Sequence, residues 1–193
     1  LGDVYKRQPK KCPSCNGELI KPSGEAILRC VAGLACPAQK VESIIHFVSR
    51  NAFNIDGLGE RIIALLVLKG LVSNFADLFR LEIKDVIDLE GFGEKSAVNL
   101  VSSIQKSKET TLSRFIYSLG IREVGEATAM NLALNFSNIS NLLSANEEDF
   151  LEINDIGPVA SKFIKDFISK NENIILIEDL LSFCLLYTSD AAD

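Results

Sequence analysis

Four glycines recur along the chain at nearly constant spacing: Gly59, Gly93, Gly125 and Gly157, separated by 34, 32 and 32 residues. Each closes a short segment of one pattern, "IDGLG", "LEGFG", "IREVG" and "INDIG". Self-similarity at a fixed period means that one supersecondary unit is repeated, and that each unit relies on a neighbour to bury its apolar face. Four residues before each glycine stand Ile55, Leu89, Ile121 and Ile153. Directly before it stand Leu58, Phe92, Val124 and Ile156, and seven after it Leu66, Leu100, Leu132 and Ile164. These positions predict core anchors.

The residue following each glycine is Glu60, Glu94, Glu126 or Pro158. Acidic residues suit the positive end of a helix and proline suits its first position. Apolar residues then recur at helical spacing, as in Phe163, Ile164, Phe167 and Ile168. Upstream runs such as "SIIHFVSR", "IKDVIDL", "LSRFIYSL" and "EEDFLEI" also read as helices. Each unit is therefore expected to be helix, tight turn, helix. The closing glycine is read as permitting a backbone conformation that a Cβ would penalise.

Such a turn places free backbone N–H groups and the positive helix end where an anion can approach. Phosphate is the expected ligand, recognised without base information and with strong salt dependence. Gly57 and Gly59, Gly91 and Gly93, Gly125, and Gly157 are the candidate contacts. Arg61, Lys95 and Lys162 are candidate cations beside them. In the third and fourth copies the first glycine is replaced by Glu123 and Asp155, which predicts weaker phosphate sites there. Gly120 is a candidate for partial compensation.

The cysteines give a second constraint. Cys12, Cys15, Cys30 and Cys36 follow a C-x2-C, 14-residue, C-x5-C pattern, while Cys184 stands far away. Four clustered cysteines can form two disulfides or one metal site. With no secretory leader pattern, reduced thiols and a tetrahedral zinc ion are the expected reading. "GELI" and "AILRC" read as a short β-hairpin turned by Pro22 and Gly24, and Gly33 as closing the wider second loop. His46, the single histidine, is read as packing or surface rather than ligand.

Composition excludes some classes. Hydrophobic residues make up 47% of the 193 residues, too many for a disordered chain. The longest uncharged apolar run, residues 62 to 68, is far shorter than the roughly 20 residues of a membrane span. Net charge is −6, but residues 1–50 hold 8 Lys+Arg against 4 Asp+Glu, and the remainder 12 against 22. Recognition by backbone N–H groups reconciles an acidic chain with a phosphate ligand. Gly57-Leu58-Gly59 mimics part of a dinucleotide-binding fingerprint, but Ile62 stands at the third glycine position and no strand pattern precedes it.

The zinc pattern running into "CPAQ", then "IIHFVSRNAFNIDGLGE", then four such hairpins resembles the C-terminal half of bacterial NAD-dependent DNA ligases, over about residues 9 to 182. The resemblance implies helix-hairpin-helix motifs that grip the minor groove of nicked duplex DNA, in a monomeric cytoplasmic, nucleoid-associated enzyme of replication and repair. It implies zinc on Cys12, Cys15, Cys30 and Cys36. It also implies NAD and Mg²⁺ used by a separate adenylation domain, joined in cis with an oligonucleotide-binding domain. No K-x-D-G motif is present here, and Lys84-Asp85 lacks its spacing. No catalytic residue is assigned, and the chain alone is expected to be inactive.

The fold class expected is mainly α: a zinc finger with a short β-hairpin at residues 10–40, then a helical domain of four helix-hairpin-helix repeats at 41–182. "LGDVYKRQ", within residues 1–9, and the stretch from 183 to 193 fit no neighbouring periodicity; they are expected to be a non-native leader and tail. Two other readings fit the repeats. One is a helix-hairpin-helix scaffold of another DNA repair or junction-processing protein; the other is a helical protein-interaction module.

Overall fold

The computed structural model describes residues 9–21 and 27–187. The turn expected at Pro22 and Gly24 lies outside the described residues, as do residues 1–8 of the leader and 188–193 of the tail. Two short antiparallel strands, β1 (Leu19–Ile20) and β2 (Arg29–Cys30), open the fold with Leu19 opposite Cys30 and Ile20 opposite Arg29. They are shorter than the runs read from the sequence.

Helix α1 (Pro37–Val48) follows. It begins before the boundary expected between residues 40 and 41, so one helix belongs to both modules. Its first turn faces the cysteines, and Ile44, Phe47 and Val48 enter the helical core.

The repeats appear in register. Helix α1 turns into α2 (Glu60–Leu68), and α3 (Ile83–Val86) turns into α4 (Glu94–Lys106). Helix α5 (Leu112–Ser118) turns into α6 (Glu126–Phe136). After a connecting helix α7 (Ile139–Ser144), α8 (Glu147–Leu151) turns into α9 (Pro158–Ile168), and α10 (Asn171–Leu181) closes the set. The second helix of every unit starts on the residue following the repeated glycine, as the helix-start chemistry predicts.

The anchor positions are buried as expected. Ile55, Leu89, Ile121 and Ile153 are buried, as are Leu66, Leu100, Leu132 and Ile164. Leu58, Val124 and Ile156 are buried in their turns, while Phe92 is half-buried against the same core. All these belong to one apolar cluster that runs through the four units. Its aromatic centre is Phe47, stacked on Phe53 at 4.4 Å and Phe75 at 4.7 Å, with Phe79 edge-on at 6.1 Å. Offset and edge-to-face aromatic pairs add stabilisation beyond area burial.

The units associate in pairs through their turns. In the first pair, the Arg61 guanidinium donates to the carbonyl of Glu90 at 3.2 Å, and Ser103 Oγ accepts from the backbone N–H of Asp56 at 2.9 Å. In the second, Asn131 Nδ2 donates to the carbonyl of Asn154, while Ser161 Oγ donates to that of Glu147 within the fourth unit. Lys165 Nζ donates to the carbonyl of Ala145, just ahead of α8, and so braces the two helices of that unit. Arg114 Nε ties the two pairs together by donating to the carbonyl of Ala52 at 2.8 Å. Among the described residues, no buried side-chain nitrogen or oxygen lacks a hydrogen-bond partner.

Ordered packing continues past residue 182. Cys184 is buried, Arg80 lies over the Phe183 ring, and Leu185–Tyr187 (β4) pairs in parallel with Glu109–Thr111 (β3). The first five residues of the stretch expected to be a non-native tail thus pack against the helical domain. The local pattern there showed no strand, because this pairing joins segments more than seventy residues apart.

Phe47 gives the fold its sharpest test. Phe47→Ala should lower unfolding free energy by about 3–5 kcal/mol, the usual cost of emptying a large buried aromatic site. Denaturant titration measures it; a loss under about 1 kcal/mol would contradict the central role of this cluster.

Candidate nucleic-acid interface and metal centre

The four sulfurs expected to form a metal site do converge. Their Sγ atoms all lie within 4.8 Å of one another, Cys12 and Cys36 at 3.8 Å and Cys15 and Cys30 at 3.5 Å. All four are free thiols. A regular tetrahedron with metal–sulfur bonds of about 2.3 Å has edges of about 3.8 Å, so the cluster fits a four-thiolate zinc ion.

Local structure explains the convergence. Asn16 adopts φ 58° in the tight C-x2-C turn, which Cys12 closes by donating to the Gly17 carbonyl at 2.9 Å. A Cβ at Gly17 would stand 3.1 Å from Cys15 Sγ, so glycine keeps the knuckle open. Gly33, at φ 51°, shapes the wider second loop. Gln39 Nε2 donates to the Cys30 carbonyl at 2.8 Å, clamping the strand to α1.

Cys36 is the N-cap of α1. The backbone N–H of Gln39, in the first turn of that helix, pushes its thiol down to about 7. Backbone N–H groups of Cys15 and Ser14 also lower the Cys12 thiol. For Cys15 the Gly17 N–H acts in the same direction, but desolvation and the neighbouring thiols prevail and push it up to about 12. Thiolates this close repel one another, and a cation at their centre would favour the ionised form. His46 lies outside the cluster, as expected: its Nε2 meets the carbonyl of Tyr117 at 2.8 Å, and the two rings lie 4.7 Å apart.

At the turns, one expectation is corrected. Gly59, Gly93, Gly125 and Gly157 have φ of −75°, −127°, −86° and −87°, values open to any residue. A Cβ added to any of them would meet nothing within 4 Å. Neither conformation nor crowding requires glycine there.

The left-handed residue of the turn stands two positions earlier. Gly57 has φ 90° and Gly91 φ 86°, and in the last two copies Glu123 (61°) and Asp155 (66°) hold the same region. The substitution noted in the sequence is thus a tolerated left-handed carboxylate at an exposed turn. Gly120, considered as compensation for it, ends α5 instead; a Cβ there would meet the His46 ring at 3.5 Å.

Capping separates these helices from α3, α5, α7 and α8, although α1 and α10 also lack a side-chain cap. Thr111 and Asn138 cap α5 and α7 with side-chain oxygens, and Glu82–Asp85 and Asn146–Asp149 form reciprocal capping boxes on α3 and α8. No N-cap side chain satisfies α2, α4, α6 or α9, whose N-caps are the four exposed glycines. The first N–H groups of a helix have no intrahelical partner, so these four ends present unshielded donors.

The candidate cations behave differently from one another. Lys95 and Lys162 are exposed. Arg61 is exposed but committed, with its guanidinium bonded to the Glu90 carbonyl and 4.0 Å from the Glu90 carboxylate. Arg122 was missed by sequence reasoning: it lies beside Glu123 at 3.7 Å and over the Phe163 ring at 4.6 Å. Its signal was its place within "IREVG", adjacent to the carboxylate it accompanies.

Comparison with known proteins agrees with this arrangement. Residues 11–38 match the NAD-dependent DNA ligase C4 zinc finger domain. Residues 50–106 match a SAM-like helix-hairpin-helix tandem, and 114–177 a helix-hairpin-helix motif. The chain is 49% identical over 175 residues to a DNA ligase of Hahella chejuensis and 45% identical over 174 residues to one of Saccharophagus degradans. These matches cover 91% and 90% of this chain but 26% of each relative, so the chain spans about a quarter of their length.

Metal removal should separate the modules. Zinc analysis of the folded protein should return one ion per chain, and chelation should unfold the region around residues 11–38 while α2–α10 keep most of their helical circular dichroism. Because thiols bind zinc as thiolates, retention should fall as pH falls, and Gly17→Ala should weaken it further. Well under one zinc per chain would contradict the four-thiolate centre. The chain thus joins a match to the C4 zinc finger domain of NAD-dependent DNA ligases to the helix-hairpin-helix matches that follow it.

Proposed function

We propose that this chain is the DNA-gripping part of an NAD-dependent DNA ligase, and that the four hairpin turns hold the sugar-phosphate backbone of nicked duplex DNA. One observation carries the reading: four helices each begin at an exposed glycine that neither the backbone nor any neighbouring atom requires. Glycine is one of several residues favoured at a helix N-cap, and the one that leaves the helix end most open to an external group; a helix N-terminus suits an anion. The relatives named DNA ligase and the helix-hairpin-helix matches support DNA as its source.

On this reading Gly59, Gly93, Gly125 and Gly157 let phosphates reach the helix ends, and Gly57 and Gly91 keep the first two turns free of carboxylates. Lys95 and Lys162 add charge nearby, and Arg61 orients the second turn from the first. Contacts of this kind carry no base information and position the duplex in register. The first pair binds phosphate more strongly than the second, where Glu123 and Asp155 stand near the sites. Binding is to the minor groove and sequence-independent.

Cys12, Cys15, Cys30 and Cys36 hold a structural zinc ion, closed to water because all four positions are filled by thiolates. Its role is to fix the finger to the N-terminus of α1, and so to the first hairpin. Adenylation by NAD and Mg²⁺-assisted sealing belong to other domains of the parent protein, which acts as a monomer on chromosomal DNA in the cytoplasm. This chain has no K-x-D-G lysine and does not seal nicks alone.

Gly93→Val tests the phosphate role directly. The φ at Gly93 and the open space around it predict a stability change under about 1 kcal/mol. Affinity for a nicked duplex, measured by fluorescence anisotropy at low salt, should fall about tenfold or more. Unchanged affinity in Gly93→Val and in Gly59→Val would remove the turns from the interface.

A further inference from the structure

Two cavities beside the first hairpin pair share the walls Asp56 and Ser103. The first, about 380 Å³, lies between the two turns and is lined by Gly57, Gly91, Ser96 and Asn99. The second, about 530 Å³, continues toward Lys106, Thr110 and Arg114. Together they form one groove along α4. Ser96, Asn99, Ser103 and Lys106 recur at three- and four-residue spacing, so they follow one side of that helix. From Ser96 to Lys106 the helix rises about 15 Å.

The groove has an apolar floor that includes Ile62, Phe92 and Leu100, and donors line its α4 side. Ser96 and Asn99 are exposed, Lys106 is exposed, and Ser103 already positions the turn through the Asp56 N–H. Arg114 and Lys106 stand at one end, and the Arg61 guanidinium lies by Gly91 at the other, 3.1 Å from where a Cβ would stand. Two carboxylates also face the groove, Asp56 and Glu109. Within α4 itself the single acidic residue is Glu94, at its start.

We propose that this groove carries a run of one DNA strand's sugar-phosphate backbone beyond the two turns. Asn99 and Lys106 contact phosphates, and Asp56 weakens the grip. The inference rests on the reading of the turns as phosphate sites. A strand presents one phosphate per roughly 3.4 Å of duplex axis, so a 15 Å donor face can meet two or more in succession. In the second pair the matching helix is α9, which carries Lys162 and Lys165 but holds Ala160, Phe163 and Phe167 where α4 holds Ser96, Asn99 and Ser103, so the polar face is absent there. The groove therefore makes the first pair the principal strand clamp.

The test uses the zinc-loaded chain and a nicked duplex, titrated by anisotropy at several salt concentrations. Wild type, Asn99→Asp/Lys106→Gln, Asp56→Asn and Gly93→Val are compared, with circular dichroism confirming that each folds. The groove double variant should lose about three- to tenfold in affinity, and its salt slope should be shallower by about one. Asp56→Asn should bind about two- to threefold more tightly, with wild-type folding. If Gly93→Val weakens binding while the groove variants match wild type in affinity and slope, the groove is overturned and the turns stand. If neither Gly93→Val nor the groove variants alter binding, both are overturned.

Discussion

A single helix-turn-helix unit of this kind cannot cover its own apolar face, and the rest of the molecule follows from that constraint. Ile55, Leu58 and Leu66 of the first unit are buried only because the second unit and the Phe47 cluster close over them. The same holds for Ile121, Val124 and Leu132 with the fourth unit's Ile153, Ile156 and Ile164. Pairing fixes which ends of the helices lie side by side. It therefore places turns in couples on the surface instead of scattering them, and backbone recognition of a repeating ligand needs donors at defined spacing.

The zinc finger is attached to this core through a helix rather than a linker. Cys36 is both a member of the thiol cluster and the N-cap of α1, and Phe47 on the same helix is the aromatic centre of the core. A rigid helix thus carries the orientation of the finger into the first hairpin pair. The helix end that lowers the Cys36 thiol also ties the thiol cluster to the start of α1.

Much of the fold was legible in the sequence because it is written in local chemistry. Helix starts at Glu60, Glu94, Glu126 and Pro158 follow from the residues that suit a helix N-terminus. The buried anchors follow from their period, and the thiol cluster from its spacing. The role of the glycines was only half legible. Glycine suggests a left-handed backbone, but in these turns that conformation belongs to Gly57 and Gly91 and to the carboxylates replacing them. Only dihedral angles distinguish a glycine needed by the chain from one left bare for something else.

The sequence by itself determined the repeat, its helix boundaries, its core positions and a four-thiol cluster, since each depends on residues close together in the chain. Tertiary structure decided what depends on distant ones. Arg61 is held by Glu90 across the pair, and Arg122 lies over Phe163. Gly120 lies against the ring of His46, far away in the chain. The groove along α4 exists because Asp56 of one unit meets Ser103 of the next, forty-seven residues away. No periodicity encodes such meetings; they are fixed by how two amphipathic units close over a shared core.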